Sequence, residues 1–95
     1  MITRIVKLQF KPANIARFTE IFHETKPFIL KFEGCLKVEL MKDAQHPDRY
    51  FTLSYWNSED DLNNYRNSTF FKETWAKVKP LFAEKAEAWS LITIP

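Results

Sequence analysis

An α+β fold is predicted, in the order β-α-β-β-α-β, with two helices on one face of a four-stranded antiparallel sheet. Three observations predict it. Apolar residues alternate with polar ones over 2–10 and 35–42. They recur mostly three or four apart over 13–32 and again over 71–82. Proline, glycine, asparagine or serine punctuates the chain where one period gives way to the other.

The first strand places Val6, Leu8 and Phe10 on one face and Thr3, Ile5, Lys7 and Gln9 on the other. Pro12 and Asn14 then open a helix expected over roughly 13–32, with Ile15, Phe18, Ile21, Phe22, Ile29 and Phe32 as its apolar positions and Gly34 placed to stop it. Pro27 lacks an amide hydrogen and crowds the His23 carbonyl, so a kink or break is expected there, with His23 at the bend.

The second strand, 35–42, sets Leu36, Val38 and Leu40 against Lys37, Glu39 and Met41. The polar run Asp43 to Asp48, with Pro47, reads as a hairpin loop into a third strand over 49–56. Ser58 followed by Glu59, Asp60 and Asp61 has the capping hydroxyl and early negative charge of a helix start, giving a short helix over about 59–66. Ser68 begins the next helix, carried by Phe71, Trp75, Val78 and Phe82, with Pro80 a second kink or break. Residues 88–94 form the last strand. No linker, repeat or low-complexity segment interrupts the chain, so one domain over 1–95 is expected.

Composition bounds the function. Of the 95 residues, 45% are hydrophobic and 16% aromatic, a large apolar load for a chain that buries only about two-thirds of its unfolded surface. The sheet face without helices is expected to carry Ile5, Met41, Tyr50 and Trp56, with Trp89 or Ile92, although sequence alone does not fix the faces of Trp56 and Trp89. Two such faces packed together would form a homodimer with a barrel-like centre. Fourteen Lys and Arg against twelve Asp and Glu give +2, with the signs interspersed, so no nucleic-acid partner is expected. No apolar run is long enough for a membrane span, and no long apolar signal core opens the chain. With one cysteine, Cys35, the expected setting is the cytoplasm. A single glycine, Gly34, excludes the glycine-rich loops that cradle nucleotide phosphates.

Four short segments resemble the antibiotic biosynthesis monooxygenase family of dimeric α/β-barrel proteins: Phe10-Lys11-Pro12, Glu33-Gly34-Cys35-Leu36, Tyr55-Trp56-Asn57-Ser58-Glu59 and Ser68-Thr69-Phe70-Phe71-Lys72. Their order and spacing cover almost the whole chain. The resemblance implies a ferredoxin-like protomer, a dimeric barrel, a pocket between sheet and helices and, for some members, cofactor-independent oxidation of quinols or polyketide-like aromatics by dioxygen. Haem-degrading members use an Asn, a Trp and a His at positions that match Val6, Tyr65 and Trp75 here, so their iron ligand is missing. Histidines that many quinol-oxidising members carry near Tyr65 and Phe70 are also absent.

From the residues themselves, the candidate site is an aromatic pocket. A cofactor-free oxygenase needs an electron-rich substrate held as an anion in a dry cavity. His23 is the candidate base, since imidazole accepts protons at neutral pH, and Tyr65 the candidate to orient a substrate hydroxyl. Val6, Phe22, Phe28, Trp56, Phe71 and Trp75 are the candidate pocket walls. No cofactor and no metal are called for: His46 lies near Asp43 and Asp48 but has no second His or Cys to complete a ligand set. Cys35 reads as a small buried filler and Glu59-Asp60-Asp61 as a solvated helix start. Three functions follow: a homodimeric monooxygenase with His23 or Tyr65 in an open cavity; a non-catalytic ligand-binding or stress-associated dimer in which Phe22, Phe28, Phe71 and Trp75 fill that space; or a sugar-mutarotase-like enzyme using His23, which the aromatic excess opposes.

Overall fold

A computed structural model describes residues 1–95. Strand β1 (Ile2–Gln9) leads into helix α1 (Ile15–Ile29), then β2 (Cys35–Lys42), β3 (Arg49–Trp56), α2 (Glu59–Arg66), α3 (Thr69–Val78) and β4 (Glu87–Leu91). The sheet has four strands in the order β2-β3-β1-β4, every neighbour antiparallel. This is the ferredoxin-like α+β arrangement, with the expected short helix over 59–66 present as α2 ahead of α3.

The helix starts follow their capping residues. The Ser58 hydroxyl accepts from the Asp61 amide at 3.2 Å, and the Ser68 hydroxyl from the Phe71 amide at 3.1 Å. A 3-10 turn at Pro12–Asn14 precedes α1, and the Asn14 side-chain amide donates to the Leu81 carbonyl at 3.2 Å, tying the start of α1 to the end of the helical layer. Pro27 lies inside α1, which ends only two residues later at Ile29, so the proline falls in the last turn and the expected span to residue 32 shortens. Pro80 has the sharper effect: α3 stops at Val78 and a 3-10 turn, Lys79–Leu81, follows. Gly34 turns the chain into β2 with φ +81°, the one positive φ in the protein, and its carbonyl accepts from the Asn57 amide at 2.8 Å. A Cβ there would collide with the Asp61 side chain at the start of α2.

Register assigns the faces. Ile2, Arg4, Val6 and Leu8 of β1 stand opposite Trp56, Ser54, Thr52 and Tyr50 of β3, and this set faces the helices. The core there joins Leu8, Phe10, Val38 and Trp56 to Phe18, Ile21, Phe22 and Ile29 of α1, Leu62 of α2 and Val78 of α3. Trp56 and Tyr50, expected on the uncovered face, therefore lie under the helices: Trp56 is fully buried and Tyr50 packs edge-on to Phe10 at 5.7 Å. The sequence of β3 misleads because large side chains occur at both parities, and pairing with β1 decides between them.

The uncovered face carries Ile5, Met41, Phe51, Leu53, Tyr55, Trp89 and Leu91 among Thr3, Lys7, Lys37, Glu39 and Glu87. Met41, Trp89 and Leu91 are exposed. Strand β4 ends at Leu91, where its pairing with Thr3 ends, so the expected strand to residue 94 is cut short and Ile92 and Ile94 are exposed. No helix is long and apolar enough to cross a membrane.

Candidate functional site

Small side chains under large ones leave a space between sheet and helices. Thr52 and Ser54 of β3, with Ala86 and Ala88 at β4, lie where a close-packed sheet face would carry bulky residues. The result is a cavity of about 330 Å³, bounded by Arg4, Val6 and Leu8 from β1, Phe18, Phe22 and Thr25 from α1, Tyr65 and Arg66 from α2, and Phe71, Thr74 and Trp75 from α3. Most of the lining is hydrophobic. A volume of this size lies within the usual range for small-molecule sites.

Tyr65 is held on three sides. Its ring stacks on Trp56 with centroids 5.1 Å apart and planes at 23°, and meets Phe32 and Phe71 edge-on at 5.0 and 5.1 Å. Trp56 is itself fixed by its indole N–H, which donates to the Ser54 hydroxyl at 2.9 Å. On α3, Phe71 and Trp75 stack in nearly parallel planes, 9° apart, with centroids at 5.9 Å. The Tyr65 hydroxyl makes no hydrogen bond within the protein, and its oxygen is not sealed from solvent. Burial, and secondarily the nearby Cys35 thiol, pushes its pKa far above the ordinary tyrosine value, so at neutral pH it is a proton donor and not a base.

The other polar groups differ in kind. The Thr25 hydroxyl is occupied with the carbonyls of Ile21 and Phe22 at 2.9 and 3.2 Å. Arg4 projects from β1 into the cavity and donates one bond to the Ser90 hydroxyl at 3.0 Å. Burial, then the neighbouring Arg66, lowers its pKa. No carboxylate or imidazole lines the cavity.

Among the residues expected in the pocket, Val6, Phe22, Trp56, Tyr65, Phe71 and Trp75 meet around this one space. His23 and Phe28 do not. His23 follows Phe22 on α1 and so points about 100° away from the cavity, into a shallow groove with Thr19, Lys26, Glu39 and Met41. Phe28 is 54% exposed and packs on Phe70 at 5.9 Å, outside the cavity, with the Lys31 ammonium over its ring. His46 lies in the hairpin, where the Asp43 carboxylate accepts from its amide at 3.1 Å and from that of Gln45 at 2.8 Å. Cys35 is half-buried and free.

Arg4 and Arg66 are the charged cavity residues that sequence reasoning passed over. Signals existed for both: Arg4 shares the parity of Val6 and Leu8 on β1, and Arg66 follows Leu62 by four positions on the inward face of α2.

A model of the antibiotic biosynthesis monooxygenase family matches residues 1–77. Among solved structures, the chain is similar to a conserved protein from Methanosarcina mazei Go1, with 24% identity, a TM-score of 0.89, and 96% of this chain and 91% of that one covered. It is also similar to a candidate antibiotic biosynthesis monooxygenase from Caulobacter crescentus CB15, with 23% identity, a TM-score of 0.91, and 99% and 90% covered. An antibiotic biosynthesis monooxygenase structure with 16% identity and a TM-score of 0.91 is covered over all of both chains. These likenesses establish the shared fold. No curated protein matches the chain.

Proposed function

The chain belongs to the antibiotic biosynthesis monooxygenase family, and from that premise we propose that it oxidises a small quinol, phenol or polyketide-like aromatic with dioxygen, without a cofactor. One observation carries this reading: a mostly apolar cavity walled by Phe71 and Trp75, into which the one phenol of the lining, Tyr65, brings a hydroxyl that makes no hydrogen bond within the protein. A flat aromatic fits between such walls, and a buried phenol gains by donating to a ligand oxygen.

In this scheme the substrate releases a proton to water and is held as its anion, with Tyr65 donating to the anionic oxygen. One electron passes to dioxygen, the radical pair combines into a carbon–oxygen bond, and the resulting peroxide, once protonated, loses water. For an anthrone the ring CH2 and O2 thus become C=O and H2O, with all four electrons supplied by the substrate; a quinol, which has no ring CH2, gives its quinone and hydrogen peroxide by a two-electron oxidation. The apolar walls keep bulk water from the radical pair. His23 has no part in this scheme, because it lies outside the cavity.

The test is oxygen uptake by chelator-treated protein with a panel of anthrones and quinols, with labelled dioxygen to follow the atoms. Uptake with one labelled oxygen in the anthrone product supports the reading. Binding of these compounds with no uptake overturns the oxidation and leaves a ligand-binding role, in a cavity that Phe22, Phe71 and Trp75 line and do not fill.

We further propose that residues 1–95 act as one domain and pair through the uncovered sheet face as a two-fold homodimer in the cytoplasm. The seven apolar side chains on that face, from Ile5 to Leu91, support a second copy as occupant, since a like surface offers the matching apolar area. Unpaired Cys35 suits a reducing compartment.

A further inference from the structure

Two guanidinium groups border one apolar cavity, and neither has a carboxylate partner. Arg4 and Arg66 both line the space, yet the ion pairs of the protein are Lys7–Glu87, Arg17–Glu20, Lys37–Glu39 and Arg49–Asp43. No Asp or Glu lines the cavity to balance them. Arg4 commits one donor to Ser90, and a guanidinium has five. Arg66, at the exposed end of α2, forms no side-chain hydrogen bond within the protein. Burial first, and the like charge of Arg66 second, lower the Arg4 pKa, and an anion held by both groups would relieve the repulsion between them.

We propose that the cavity selects an aromatic carboxylate: a flat apolar body seated against Tyr65, Phe71 and Trp75, with its acid group held by Arg4 from the sheet and Arg66 from α2. This deepens the proposed function and rests on it, since it narrows the substrate from any electron-rich aromatic to one that carries an acid. The planar fork of a guanidinium matches the two oxygens of a carboxylate, which favours a carboxylate over a single-atom anion. The two arginines sit on different layers of the fold, so the acid group would enter where sheet and α2 meet and leave the ring beside the Tyr65 hydroxyl.

Isothermal titration of the full chain with 2-naphthoate and with 2-naphthamide tests this, because the pair differ in charge and share a ring. The acid is expected to bind at least about tenfold tighter, the ratio that one charge-assisted hydrogen-bond pair provides. Arg4→Gln and Arg66→Gln should each reduce that preference and the double variant should abolish it, while amide binding persists and reports an intact cavity. Equal affinity of acid and amide for the wild type, or a preference that survives the double replacement, overturns the anion assignment and leaves the aromatic cavity standing. Absence of binding by both probes overturns the aromatic-cavity reading and the assignment with it.

Discussion

The rings of Trp56 and Tyr65 stack with centroids 5.1 Å apart, joining the last residue of β3 to the middle of α2 across the edge of the cavity. Trp56 is completely buried and its indole N–H is satisfied by Ser54, whereas Tyr65 is half-buried with an unpartnered hydroxyl. One member of the pair supports the fold and the other faces the ligand space.

Trp56→Ala should therefore be a stability variant. Removing a fully buried indole costs about 3–5 kcal/mol, a large share of the about 5–15 kcal/mol that holds a small domain folded. Urea denaturation followed by far-UV circular dichroism checks this; a midpoint within error of the wild type would remove Trp56 from the core.

Tyr65→Phe should leave neutral-pH stability within about 0.5 kcal/mol, because no protein hydrogen bond is lost. Its effect belongs at high pH. The folded-state pKa of Tyr65 is raised above the ordinary value of 10.0, chiefly by burial, so its contribution to stability is complete below about pH 10 and is lost as pH rises toward the folded value. Unfolding midpoints should fall above pH 10 in the wild type and fall less in Tyr65→Phe. Identical alkaline profiles would show that the phenol is not desolvated.

Gly34→Ala should destabilise the protein by about 1–3 kcal/mol, since φ +81° strains any residue with a Cβ and the new methyl meets Asp61. Asp61→Ala should recover part of the loss by clearing the collision. Thermal melts of the two single variants and the double variant separate the backbone component from the steric one.

On the open sheet face, Leu53→Lys with Trp89→Lys should convert a dimer into a monomer with an intact fold, because both side chains lie on that face and neither lines the cavity. Sedimentation velocity at micromolar concentration is the check. A wild type that sediments as a stable monomer contradicts the paired-sheet proposal.

Much of the scaffold was legible because β1 and β2 alternate and because Ser58 and Ser68 mark helix starts that the structure places at the same residues, whereas Gly34, expected to stop α1, lies five residues past its end and turns the chain into β2 instead. The faces of β3 were not, since Tyr50 and Trp56 at one parity compete with Phe51, Leu53 and Tyr55 at the other, and strand pairing resolves what periodicity leaves open. The cavity was legible only in part. Aromatic residues announce its walls, but its existence depends on Thr52, Ser54, Ala86 and Ala88 being small beneath them, which is a property of the assembled layers. His23 drew attention for its chemistry, and one step of helical rotation past Phe22 carries it away from the cavity.

The measurement that bears most directly on the central claim compares oxygen uptake by wild type, Tyr65→Phe and His23→Ala with one anthrone substrate under chelating conditions. With chemistry in the aromatic cavity, Tyr65→Phe should lose at least about tenfold in rate, the size of one hydrogen bond to a charged oxygen, while His23→Ala keeps the wild-type rate. A rate abolished by His23→Ala and untouched by Tyr65→Phe would contradict the account and move the chemistry to the groove on the other side of α1.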